Sequence, residues 1–232
     1  MWSDEFEGNG LVDSNKWTYE EGMLRNNEAQ YYTKANTNNA RQKDGMLIIE
    51  ARKENSGKAN YTSASLTTQN KKHFRYGKVE VRAKLPMGRG TWPAIWMLGE
   101  NIAKVGWPAC GEIDIMENVG FDSLKIHGNV HTEAYNHVKK TNKGNNIQVS
   151  RPWEEFHIYS IDWSAEKIDF FIDNKLYFTF KKESNAADVW PYNTPHYLIL
   201  NLAIGGEWGG QKGIDDTKFP HQYFIDYVRV YE

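Results

Sequence analysis

Cysteine occurs once in the 232 residues, as Cys110, which excludes an intramolecular disulfide and a cysteine-cluster metal site. A lone cysteine near acids is a conceivable nucleophile, but a small buried residue is the better reading. Excess charge is also missing. Lys and Arg number 28 and Asp and Glu 30, a formal net charge of −2, so the basic surplus of a nucleic-acid binder is absent. No run of 18 apolar residues occurs, so no transmembrane helix and no membrane partner is expected. The opening MWSDEFEG carries no signal peptide and already reads as folded domain. Met1 is therefore expected to follow a removed leader, although a cytoplasmic protein would begin the same way. Long helical periodicity is lacking too, and only SNAADVWP (184–191) is expected to hold a short helical turn.

Aromatic side chains are abundant: 9 Trp, 13 Tyr and 10 Phe. A near-neutral chain with so much tryptophan leans towards sugars, whose apolar ring faces stack on indoles. Alternation with period two dominates the rest. GMLIIEAR (45–52), GKVEVRAKL (77–85), TWPAIWML (91–98), FHIYSIDWS (156–164), KIDFFIDNKLYFTF (167–180), YLILNLAIGG (197–206) and YFIDYVRVYE (223–232) read as strands, with IDNK (172–175) a hairpin turn. The polar stretches 53–60 and 136–150 read as loops, and strands continue on both sides of each. One all-β domain over 1–232 follows, a sandwich of two antiparallel sheets. Its outer faces should be polar, so tryptophan there needs a reason.

The informative stretch is GEIDIMENVG (111–120). In a regular strand Glu112 and Asp114 share a face and Glu117 points away. One extra residue, a β-bulge at Met116, flips the parity and brings all three carboxylates to one side. The two Glu α-carbons are then about 13 Å apart, and side chains leaning together leave a carboxyl gap of roughly 5–6 Å. That suits retaining glycosidases, at about 5–5.5 Å, better than inverting ones, at about 6.5–9.5 Å. Crowding three acids raises at least one pKa, as a general acid requires, and Asp114 between the two Glu can orient the nucleophile. A solvated acidic strand edge or a Ca2+ site are the alternatives. Ile113, Ile115 and Met116 make the strand central and apolar, which counts against a merely solvated edge.

The same stretch, with Met before the last Glu, resembles the active-site signature of glycoside hydrolase family 16, in its endo-β-1,3-glucanase (laminarinase) branch. Further similarity runs through WSDEFEG, NNEAQYYT (26–33), YGKVEVRAKLPMGRGTWPAIWMLG (76–99), WPACGEIDIMENVG (107–120), HGNVHT (127–132), NLAIGGEWGG (201–210) and IDYVRVYE (225–232). The resemblance implies a β-jelly-roll sandwich with a substrate cleft on its concave sheet. It implies endo-acting, retaining hydrolysis of β-1,3-glucan through a glycosyl-enzyme intermediate. Mixed-linkage β-1,3-1,4-glucanase (lichenase) activity, or a non-catalytic glucan-binding module, are the alternatives. The second usually loses a catalytic acid, and all three are present here.

Carried over by position, Glu112 resembles the nucleophile, Asp114 the assisting acid and Glu117 the acid/base. His131 is expected beside them, with Asn129 on the same strand face; His127 shares that parity. Trp96 and Trp107 resemble donor-side stacking contacts, Trp92 shares the face of Trp96, and Trp208 resembles a rim tryptophan. Asn26, Asn201 and Arg75 are expected to reach sugar hydroxyls. Glu207 departs from the pattern by adding a charge beside Trp208. No catalytic cofactor is implied. A structural Ca2+ on the convex side would take the backbone oxygens of Glu7 and Gly45 and the carboxylate of Asp226. The implied partner is a β-glucan polysaccharide or oligosaccharide, and the implied protein is a secreted monomer.

Overall fold

The computed structural model describes residues 1–231; the final Glu232 of the predicted last strand lies outside them. Among the described residues, two large antiparallel sheets stack as a β-jelly-roll sandwich. The seven-stranded sheet runs Lys143–Gln148, Lys125–His131, Glu112–Glu117, Thr91–Gly99, His196–Ile204, Ser65–Thr67, Thr18–Glu20. It is called the cleft sheet below. The eight-stranded back sheet includes Gly77–Lys84 at its centre, flanked by His157–Trp163 and His221–Tyr231.

Alternation explains why these segments pack as they do. Val79, Val81 and Ala83 point into the sandwich and meet Ile95, Met97, Leu198 and Leu200 from the opposite sheet in one apolar core. Each such buried side chain contributes about 1.5–3 kcal/mol by leaving water. Lys78, Glu80 and Arg82, on the other parity, stay half-exposed on the back. The predicted hairpin joins Lys167–Ile172 to Lys175–Lys181. Asp173 and Asn174 both take positive φ (49° and 64°), as a tight two-residue turn demands.

One expectation is extended and another corrected. SNAADVWP holds a single helical turn, in which the Trp190 N–H donates to the Ala186 carbonyl (2.9 Å). It is not alone, because Ile102–Val105 forms a short α-helix that periodicity did not mark. The 136–150 stretch is not all loop: Lys143–Gln148 is the edge strand of the cleft sheet, paired with Lys125–His131. Its sequence, KGNNIQ, shows no apolar alternation because this edge has little core to face and is largely exposed.

Candidate active site

Glu112–Glu117 is the third strand from that edge. Glu112 sits opposite Leu98, Asp114 opposite Trp96 and Glu117 opposite Ala94. The neighbour advances two residues at each step while this strand advances two and then three, and the register shifts between Asp114 and Met116. Ile113, Ile115 and Met116 all enter the core. Driving both Ile115 and Met116 inward rotates Glu117 to the face of Glu112 and Asp114. The parity argument expected one extra residue, at Met116; the register has Met116 opposite Ile95 and leaves Ile115 without a partner, so the bulge begins one residue earlier.

All three acids line one cleft of about 650 Å³. Each Glu receives an indole N–H. Trp107 Nε1 donates to Glu112 Oε2 at 2.7 Å, and Trp92 Nε1 donates to Glu117 Oε1 at 3.1 Å. His131 Nε2 lies 3.3 Å from Asp114 Oδ2 and 3.8 Å from Glu112 Oε1. The Asn129 amide meets the same His131 nitrogen at 3.2 Å.

Burial, then the neighbouring Asp114 charge, pushes Glu112 up to about 8. Burial, then the Glu112 charge, pushes Glu117 up to about 7. Asp114 is raised well above the usual carboxylate range by burial and then by Glu117. The set therefore loses its protons stepwise around neutrality, and not every member is ionised there. Hydrogen bonding favours charge on Glu112, whose indole donor is the closer of the two. A proton retained by Asp114, the most deeply buried of the three, can donate towards Glu112 and support that charge. Burial alone ranks Glu112 above Glu117 as the proton holder, and the closer indole donor on Glu112 works against that ranking.

Glu112, Asp114 and His131 also bring donor atoms within 4.8 Å of one another, a spacing that a divalent cation tolerates. The Trp107 N–H takes Glu112 Oε2 and leaves Oε1 on the side of His131. Cys110 is fully buried, and burial, then the Glu112 charge, pushes its thiol up to about 11, so it is no nucleophile.

Apolar side chains floor the cleft. Ala94, Trp96 and Leu98 share the outward parity of their strand and pack with Tyr197, Ile199 and Cys110. Trp96 is only 8% exposed, and its N–H donates to Asn201 Oδ1 (2.8 Å). The Asn201 amide in turn donates to the Tyr32 hydroxyl (3.0 Å), so both ends of Asn201 are held inside the protein. Trp92 and Trp208 meet edge to face with centroids 5.6 Å apart. Asn26, at positive φ (54°), lines the cleft and reaches Glu28 at 3.4 Å.

Arg75 is the exception among the expected contacts. It is exposed, lies against Tyr76 and is not part of the cleft wall. Phe74 pairs with His196 of the cleft sheet and Gly77 begins a back-sheet strand, so Arg75 sits on the crossover between sheets. The cleft's guanidinium belongs to Arg25, which lies 4.9 Å from the Trp96 ring centroid and is ion-paired to Glu20. Sequence reasoning missed Arg25, Glu28 and His137. Arg25 and His137 stand in irregular segments with no periodicity to orient them. Glu28 lay within NNEAQYYT yet gave no sign that Gln30 and Tyr32 would donate to it (2.7 and 3.1 Å).

The three expected Ca2+ ligands fall on neighbouring segments of the back sheet. Gly45 follows Ala40–Lys43, Asp226 lies one residue past the Ile225–Leu47 pair, and Gly8, beside Glu7, donates to Gln42. The oxygen donors suit Ca2+, but there is one carboxylate, and Arg82 is paired with it.

Residues 27–229 match glycosyl hydrolases family 16. A beta-glucanase of Rhodothermus marinus is 50% identical over 240 residues, covering 100% of this chain and 84% of that protein. The solved laminarinase of Rhodothermus marinus superposes with a TM-score of 0.97 at 48% identity, covering 100% of this chain and 96% of the other. A non-specific endo-β-1,3(4)-glucanase of the same family, crystallised with 1,3-β-D-cellotriosyl-glucose, gives a TM-score of 0.96 at 46% identity, covering 100% and 93%.

Proposed function

The chain belongs to glycosyl hydrolases family 16, and on that premise we infer that it is an endo-β-1,3-glucanase of the laminarinase type. The observation that carries the reading is the bulge, which gathers Glu112, Asp114 and Glu117 on the floor of a cleft walled by tryptophans. All three acids are present, which argues against a module that only binds glucan.

The reaction runs by double displacement. The Glu112 carboxylate attacks the anomeric carbon while Glu117 gives its proton to the departing glycosidic oxygen, and the C1–O bond breaks. Glu117, now ionised, takes a proton from water whose oxygen attacks C1. The ester to Glu112 is released and the β configuration is kept. Trp107 holds Glu112 in place and stabilises its charge, and Trp92 does the same for Glu117 once it is ionised. Asp114 and His131 orient the nucleophile. Asn201 fixes Trp96 as a floor for the donor sugars, with Arg25 laid over its ring. Asn26, Asn129 and Trp208 contact the glucan along the cleft. Arg75 has no part in it.

No catalytic cofactor enters these steps. A structural Ca2+ would be held by the Glu7 and Gly45 carbonyls and by Asp226, tying the amino-terminal segment to the back sheet in competition with Arg82. Secretion and a monomeric state accord with a polymeric substrate met outside the cell.

Mixed-linkage cleavage is the second reading, favoured by the likeness to a non-specific endo-β-1,3(4)-glucanase. Product analysis on laminarin, curdlan and lichenan side by side separates them. Oligosaccharides released from laminarin and curdlan are expected, with β-anomers appearing first by NMR. Release from lichenan alone would replace the first reading by the second, and α-anomers appearing first would remove the covalent step.

A further inference from the structure

The cleft does not stop at Glu117. Past it a second, shallower groove of about 280 Å³ runs towards the edge of the sheet, sharing Glu117, Asn129 and Trp208 with the first. Its floor is built by strand pairing. His127 faces Asn146 and Asn129 faces Gly144, so the parity that points His127, Asn129 and His131 at the acids also turns Asn142, Gly144 and Asn146 to that face.

We propose that the edge strand Lys143–Gln148 and the adjoining Asn142 form the subsite for the leaving-group half of the glucan, with Asn146 and Asn142 as its specificity-determining hydrogen-bond partners. This rests on the reading of Glu117 as the acid/base, because the sugar it protonates lies on this side.

Three observations support the assignment. First, the groove has the right chemistry for a neutral, hydroxyl-rich ligand. Apart from Glu117 it presents amides, backbone and two aromatic rings, and Lys143 is turned away towards the Tyr135 ring (4.6 Å) and Glu183 (3.6 Å). Second, one of its amides is free. Among the described residues, the Asn146 side-chain amide makes no hydrogen bond, whereas Asn145, on the opposite parity, is used to tie the strand to the Tyr177 carbonyl (2.9 Å). Asn142 donates to Asn129 Oδ1 (3.2 Å), and Asn129 meets His131, so an occupied groove is wired to the acids through two amides. Third, Gly144 lets the Asn129 side chain lie across the edge strand into the groove: a Cβ there would be 2.6 Å from Asn129 Oδ1 and 2.7 Å from the Gly128 carbonyl oxygen. Trp208 closes the other wall, with its ring meeting His127 edge to face at 4.9 Å.

The test compares two substrates that differ only beyond the broken bond. One is a β-1,3-linked glucose oligosaccharide that extends across both sides of the cut. The other is an aryl β-1,3-glucobioside, whose leaving group is a phenol with no hydroxyls for these amides. For Asn146→Ala with Asn142→Ala, the ratio of kcat/KM on the oligosaccharide to kcat/KM on the aryl glycoside should fall about 5- to 20-fold, the worth of one or two net hydrogen bonds. Asn146→Ala alone should lower the same ratio by the smaller end of that range. Reducing-end-labelled oligosaccharides should also shift their main cut towards the reducing end in both variants. An unchanged ratio with an unchanged cutting pattern overturns the subsite. Failure of the parent enzyme to cleave either substrate would instead overturn the glucanase reading beneath it.

Discussion

The outer faces of the two sheets are made by the same alternation yet treat charge in opposite ways. On the back sheet acids meet bases. Arg229 grips Glu5 through two nitrogens (3.0 and 2.8 Å), and that hydrogen bonding holds the Glu5 carboxyl below its usual range. Lys78 pairs with Glu80 at 2.7 Å. On the cleft sheet three acids stand together with one histidine and, among the described residues, no Lys or Arg ion-paired to them, and burial drives all three upward. Paired, solvated charge contributes little to stability and performs no chemistry. Unpaired, buried charge opposes folding and is poised to move protons. The bulge at Ile115 and Met116 is what creates the second condition.

The largest expected effect comes from removing a cleft acid. Glu112→Ser and Glu117→Gln should each lower laminarin turnover about 10³-fold or more while oligosaccharide binding stays measurable. Added azide should yield an α-glycosyl azide from the Glu112 variant and a β-glycosyl azide from the Glu117 variant. Exchanged anomers would exchange the two roles.

The next effect is on pH. Folded Glu112 and Glu117 hold protons more tightly than the unfolded chain does, so their contribution to stability is full below about pH 4.5 and is lost as pH rises through about 7 to 8. Glu112→Gln cannot ionise. It should be more stable than the parent at pH 8, by something of order 1–3 kcal/mol, with the gap closing towards pH 4 in denaturant titrations. The kcat/KM profile of the parent should be bell-shaped, with both limbs above the ordinary carboxylate range. A variant gap independent of pH would mean that the cleft acids are not held in opposition to folding.

The smallest effect belongs to the back sheet. Arg229→Ala should change stability by no more than about 1 kcal/mol and leave laminarin kinetics alone. A clear loss of turnover would show that the two faces are coupled and that the contrast between them is too simple.

How far the sequence reached follows from the range of the forces involved. Strands with a buried face were readable because alternation is local. The cleft parity of Trp92, Trp96, Asn129 and His131 followed from the same rule. Edge strand Lys143–Gln148 was not readable, since a strand with little core to face has no reason to alternate. Arg75 was misplaced because a residue beside a strand gives no sign that the chain is crossing between sheets there. Asn201 was expected to spend its amide on sugar, and only the approach of Trp96 and Tyr32 shows where the amide is held.

By itself, then, the sequence determined the sandwich class and the shared face of Glu112, Asp114 and Glu117, because side-chain parity along a strand is fixed by the backbone and a single inserted residue reverses it. Only the tertiary structure decided how those acids are charged and what surrounds them. The Trp92 and Trp107 N–H groups, the Arg25 guanidinium over Trp96 and the amides beyond Glu117 arrive from other strands and loops. Burial and proximity, which set a pKa or shape a subsite, exist only once those segments have met.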